Sequence, residues 1–99
     1  MKNGPLSGQV AIVTGAGRGI GRAIAESFAG AGAAIVLAAR TGGELEQVRL
    51  AIEKHGGRAL TVPTDVADDD AVALMVARTV ETFGRVDLLV TAARRGSRP

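Results

Sequence analysis

Four glycines fall within seven residues, Gly15-Ala16-Gly17-Arg18-Gly19-Ile20-Gly21, directly after the apolar run Val10-Ala11-Ile12-Val13. Glycine loses more conformational freedom on folding than any other residue, so a cluster this dense is costly for a mere turn. It marks a place where the backbone must bend sharply or approach something closely. The apolar run reads as a strand from Gln9 to Thr14, covered on both faces as in a parallel sheet. After the cluster, Ile20, Ile24 and Phe28 recur every four residues, with Ala23 and Ala31 on the same stripe. Arg22 and Glu26 point away from that stripe, so a helix is expected, stopped by Gly30 and Gly32.

The rest of the chain keeps the alternation. A second strand is expected from Ala34 to Ala39, followed by a loop carrying Arg40-Thr41-Gly42-Gly43. Leu45, Val48 and Ile52 mark a second amphipathic helix among Glu44, Glu46, Arg49, Glu53 and Lys54, ending at Gly56-Gly57. Ala59 to Val62 fits a third strand, with Pro63 at its end because proline cannot donate to a ladder. Asp68 suits the N-cap of a third helix, and Asp69 and Asp70 place negative charge at the positive end of its dipole. Val72, Val76, Val80 and Phe83 form its expected buried face, with Met75 beside it, and Gly84 closes it. Val86 to Thr91 reads as a fourth strand. The order β-α-β-α-β-α-β calls for an α/β fold with a parallel sheet and right-handed crossovers.

Composition narrows the function classes. Ninety-nine residues accommodate at most one small domain. Without cysteine there is no disulfide framework and no thiolate zinc site, and His55 is the only histidine. The net charge of +2 suggests a nucleic-acid partner only superficially, because Arg94, Arg95 and Arg98 supply three positive charges in the last six residues. A groove-binding stripe would spread over one face of a helix or sheet, so no nucleic-acid partner is expected. The longest uncharged apolar run, about Ala31 to Ala39, is far below the roughly 20 residues of a membrane span. A cytoplasmic protein with no membrane partner is the expectation, with residues 94–99 a disordered basic tail.

The first strand, glycine cluster and first helix together suit an anion. A helix N-terminus carries unpaired N–H groups and partial positive charge, and a pyrophosphate matches both. The spacing excludes two common cradles. G-x-G-x-x-G fails because Ile20 or Arg22 stands at its sixth position, and the P-loop fails because no Gly-Lys-Ser/Thr is present. What stands is Thr14-Gly15-x-x-x-Gly19-x-Gly21.

That motif, with Val10-Ala11-Ile12-Val13 before it, resembles the glycine motif of the short-chain dehydrogenase/reductase family. Thr64-Asp65-Val66 resembles the family's adenine-side motif, and Phe83-Gly84-Arg85-Val86-Asp87-Leu88-Leu89-Val90 resembles the lead-in to its fourth strand. The resemblance implies a Rossmann-like sheet of strand order 3-2-1-4, a partial NAD(P)-binding domain over residues 7–93. It also implies the family's reaction, reversible hydride transfer between NAD(P)(H) and a carbonyl or alcohol. By the same resemblance, Gly15 makes the turn, Gly19 and the Ile20 N–H lie against the pyrophosphate, and Gly21 lets helix and strand pack. Thr14 and Gly17 complete that loop. Asp65 would accept from the adenine amino group with the Val66 backbone beside it, and Ala92 and Ala93 would border the cofactor after the fourth strand.

The second strand ends in Ala39-Arg40, with no acid to hold the ribose hydroxyls of NAD. The fork of Arg40, and of Arg18 in the loop, suits the 2′-phosphate of NADP, so NADP(H) is favoured over NAD(H). Structural roles compete with these assignments. Asp65 could cap the third helix, Arg18 and Arg40 could be solvated loop residues, and His55 could serve a helix C-terminus.

Three departures bear on activity. The family's Asn-Asn-Ala-Gly is replaced by Thr91-Ala92-Ala93-Arg94. The family's catalytic Ser and Tyr-x-x-x-Lys have no counterpart, since the chain has no Tyr and no Lys after Lys54. No catalytic residue is therefore assigned, and the 99 residues alone are expected to be inactive. The family's sheet also continues for three more strands, so the fold is expected to be incomplete. Its fourth strand would then be an exposed edge inviting self-association or another chain. The loss of resemblance at residue 91 suggests a truncated or frameshifted product of a longer reductase gene. A non-catalytic nucleotide-binding or interaction module and a non-functional fragment are the alternatives.

Overall fold

A computed structural model describes residues 4–40 and 42–92. The expected tail at residues 94–99, and Ala93, lie outside these described residues. The elements are β1 (Val10–Thr14), α1 (Gly19–Gly30), β2 (Ala34–Ala39), α2 (Gly42–Lys54), β3 (Arg58–Pro63), α3 (Asp69–Phe83) and β4 (Leu88–Thr91). All strand pairs are parallel and the sheet order is β3-β2-β1-β4, as the Rossmann-like reading implies. Pro63 sits in the last pair of β3, opposite Ala39, where the strand edge tolerates a missing N–H.

Side-chain alternation splits the core into two layers. Ala11, Val13, Ile35 and Leu37 face α1 and α2, joining Ala25, Leu45, Val48 and Ile52 in one buried cluster. Ile12, Val36, Ala38 and Val62 face α3 and pack with Met75 in a smaller one. The Leu45, Val48 and Ile52 stripe of α2 is buried as its periodicity predicts.

Two helix faces differ from the sequence expectation. On α1 the fully buried positions are Gly21 and Ala25, with Ile24 and Phe28 partly buried, while Ala23 is exposed and Ile20 is 74% exposed. Small residues let α1 lie close on β1, and that rotates Ile20 out to the mouth of the glycine loop. On α3 the buried line is Met75 and Thr79, flanked by Val72 and Phe83, while Val76 and Val80 are exposed. The Thr79 hydroxyl donates to the Met75 carbonyl at 2.8 Å, so a polar residue is buried without an orphan group. Among the described residues a single helix covers this side of the sheet, and it lies over β2 and β3. Val76 and Val80 therefore have no neighbouring helix among the described residues. For the same reason Leu89, on the outer strand β4, is 61% exposed, whereas Leu88 and Val90 join the covered layer. β4 is also shorter than the expected Val86 to Thr91. Asp87 sits just before it, bound to Val10 through both backbone and side chain, which fixes the strand's entry.

Candidate dinucleotide site

The C-terminal ends of the four strands gather most of the sequence-predicted site residues along one sheet edge. The chain leaves β1 at Thr14 and bends through the glycine cluster into α1. β1 pairs with β2 on one side and β4 on the other, so it stands where strand order reverses. That is where open α/β sheets hold ligands, in the crevice outside the strand ends.

Backbone hydrogen bonds tie the surrounding loops together. The Ala16 N–H donates to the Ala38 carbonyl at 3.3 Å, laying the glycine loop over the end of β2. The Ala92 N–H donates to the Thr14 carbonyl at 3.3 Å, bringing the segment after β4 beside that loop. The Thr14 hydroxyl reaches the Val90 carbonyl at 3.4 Å. The Thr64 N–H donates to the Ala39 carbonyl at 2.8 Å, which sets the Asp65-Val66 segment next to Arg40. Ala93 falls outside the described residues.

The glycines divide the work. Gly19 has φ of +63° and nothing within 4 Å of where a Cβ would sit, so it combines a left-handed turn with an open approach to the helix end. A Cβ on Gly21 would sit 2.0 Å from the Gly15 carbonyl oxygen, so only glycine permits this contact between α1 and its own loop. α1 begins after Arg18, whose side chain makes no capping hydrogen bond, and its first turn holds no acidic residue. Its N-terminal N–H groups keep their positive potential without an internal counter-charge from that turn.

The charged candidates differ in their surroundings. Arg40 is exposed and makes no ion pair with another described residue. Arg18 is exposed, with Nε 3.8 Å from Glu44 Oε2. Glu44 went unnoticed in the sequence as anything but the polar face of α2. Its only sequence signal is a carboxylate in a helix's first turn, which is commonplace. Asp65 Oδ1 accepts from the Ala67 N–H at 3.0 Å, and its carbonyl accepts from the Asp68 N–H at 2.9 Å. It shapes the turn before α3, while Asp68 is the cap, its carboxylate accepting from the Asp70 and Ala71 N–H groups. His55 lies beyond α2 at the helix end remote from this site, with Nδ1 3.0 Å from the Ala51 carbonyl. No group of His, Cys, Asp or Glu among the described residues could hold a metal ion. No helix among them is long and apolar enough to cross a membrane.

The model of the family described as short chain dehydrogenase matches residues 9–98. The chain belongs to the short-chain dehydrogenase/reductase family. Over 84 residues it is 49% identical to the short-chain reductase protein NovJ of Streptomyces niveus, covering 85% of this chain and 32% of that protein. It is 41% identical to a fatty acyl-CoA reductase of Acinetobacter baylyi over 93 residues, covering 94% of this chain and 32% of the relative. Among solved structures it resembles a hydroxysteroid dehydrogenase from Escherichia coli, with TM-score 0.85 and 35% identity. That match covers 87% of this chain and 37% of the other. A metagenomic short-chain oxidoreductase in complex with NADP matches with TM-score 0.81 and 44% identity, over 85% of this chain and 38% of that one. This short-chain dehydrogenase/reductase sequence thus spans about a third of the length of NovJ and of the fatty acyl-CoA reductase.

Proposed function

We propose that this chain supplies the pyrophosphate- and adenosine-binding part of an NAD(P)-dependent oxidoreductase, with NADP(H) preferred over NAD(H). The observation that carries the reading is the uncapped N-terminus of α1 behind Gly19, opening beside the ends of β1 and β4. The residues present fit the group. Gly19 and the Ile20 N–H would lie against the pyrophosphate, Gly15 would make the turn, Gly21 would let helix and strand pack, Thr14 and Gly17 would complete the loop, and Ala92 and Ala93 would border the cofactor. Asp65 and Val66 would meet the adenine. Arg18 and Arg40 would meet a 2′-phosphate, since neither position offers a carboxylate for a ribose hydroxyl. The NADP complex of a 44% identical neighbour supports the assignment. A bound nicotinamide exchanges hydride with a carbonyl or alcohol. The chain's own part in that chemistry is to bind and orient the dinucleotide.

The sequence contains no tyrosine, so these 99 residues lack the phenol that the family resemblance assigns to proton transfer. That favours a second reading, a dinucleotide-binding module without turnover. Calorimetric titration with NADPH tests binding, and NADPH consumption over a panel of carbonyl compounds tests turnover. The expected result is weak saturable binding without consumption. A titration with no heat and no saturation overturns the cofactor assignment, and consumption by the purified chain overturns the module reading.

A further inference from the structure

Glu44 places a carboxylate against the proposed phosphate cradle from outside it. The residue lies in the first turn of α2, where the helix dipole favours an acid. Its side chain fills the space that Gly17 leaves open. A Cβ on Gly17 would stand 2.9 Å from Glu44 Oε1 and 3.0 Å from Glu44 Cβ. The same carboxylate is 3.8 Å from Arg18 Nε, and Arg18 has no other ion pair among the described residues. Arg18 is 85% exposed along its side chain and Glu44 40%, so the pair is held by water-screened attraction and breaks at little cost.

Resting on the cofactor reading above, we propose that Glu44 is a specificity-determining residue of this site, an internal counter-ion that a 2′-phosphate must displace from Arg18. Three physical consequences follow from the placement. A dianion arriving at Arg18 meets the Glu44 charge, and like charges at such a distance repel. A dinucleotide with a free ribose hydroxyl carries no such charge and leaves the Arg18–Glu44 pair intact. Glu44 therefore lowers the preference for NADP(H) that Arg18 and Arg40 create. The preference is set by a balance of two exposed arginines against one half-buried acid, which salt will tilt because the charges meet at the surface.

The test is calorimetric titration of the full chain and of Glu44→Gln with NADPH and, separately, NADH. Glutamine keeps the packing against Gly17 and removes the charge. The expected result is NADPH binding strengthened by about three- to fivefold with NADH changed less than about twofold. In an Arg18→Gln background the gain in NADPH affinity from the same substitution should shrink, because only the direct repulsion remains and no ion pair is left to be released. An equal change for both dinucleotides, or a loss of NADH binding alone, overturns the counter-ion role. So does unchanged discrimination in a chain that binds NADPH. Binding of neither dinucleotide by either protein refutes the cofactor reading and this inference with it. Thermal melts of each variant separate a change in affinity from a change in fold.

Discussion

Asp87 holds Val10 at both of its backbone polar groups. The Asp87 N–H donates to the Val10 carbonyl at 2.9 Å, and the Val10 N–H donates to Asp87 Oδ2 at 2.8 Å. This joins the entry of β4 to the entry of β1, 77 residues away in sequence. Arg85 completes the arrangement with a forked contact, its Nη2 2.8 Å from Oδ1 and its Nε 2.9 Å from Oδ2. The Arg85 hydrogen bonds, and then the Val10 N–H, hold the Asp87 carboxyl below its ordinary value.

That depression has a definite sign. A carboxyl whose pKa is lower folded than unfolded adds stability that is complete above the unfolded value and is lost as pH falls through the folded one. The Asp87→Asn variant should have a lower melting temperature than the parent at pH 7. The gap should narrow as pH drops below the ordinary aspartate range. Melting curves from pH 7 to pH 2 check this, and a gap that widens toward acid would refute it.

Gly21→Ala should be severe. The added methyl would collide with a backbone carbonyl, which cannot rotate away as a side-chain tip can. Overpacking of this kind costs about 1–3 kcal/mol or more. The readouts are a lowered urea midpoint and loss of NADPH binding. Gly43→Ala, with open space around it in the first turn of α2, serves as the control expected to leave NADPH binding within error and the urea midpoint equal or slightly raised.

Asp68→Ala removes the acceptor for two N–H groups at the start of α3. The expected loss is about 1 kcal/mol. Asp68→Asn should recover most of it, because an amide oxygen still accepts at the cap. Denaturant unfolding of the three proteins decides the order.

Arg40→Asp tests the proposed cofactor preference at the end of β2. A carboxylate there would repel a 2′-phosphate and could accept from ribose hydroxyls. NADPH binding should weaken by roughly tenfold or more while NADH binding holds or improves. Equal losses for the two would remove Arg40 from the site.

Met75→Ala removes the fully buried apolar side chain that α3 packs into the layer of Ile12, Val36 and Val62. The expected cost is about 2–5 kcal/mol. Val80→Ala, at a 47% exposed position on the same helix, should cost far less. Comparable losses would show that Val80 is covered in solution.

Much of the architecture was legible in the order of the residues. The apolar runs of β1 and β2, the Leu45-Val48-Ile52 stripe and the Asp68 cap are local signals, and each decides its element within a few neighbours. The glycine spacing was equally legible, since Gly19 and Gly21 are required by the backbone itself. Which side of α3 is buried was not. Valines at 72, 76 and 80 match a helical stripe as well as Val72, Met75 and Thr79 do, and only the helix's seat over β2 and β3 separates them. Ile20 misled for a related reason. It continues the Ile24–Phe28 row, but close packing at Gly21 and Ala25 turns it outward.

The sequence by itself determined the element order, the parallel sheet and the glycine loop between β1 and α1, because periodicity and backbone sterics act over a turn or a strand. The tertiary structure decided that Asp87 clasps Val10, that Asp65 shapes a turn, and that Glu44 stands against Gly17 and Arg18. Those relationships join residues from 2 to 77 positions apart. The long-range contacts depend on the relative seating of helices and strands, and the exact side chain chosen by a turn depends on the local geometry it finds. Neither is carried by hydrophobic spacing, which records only which side of an element avoids water.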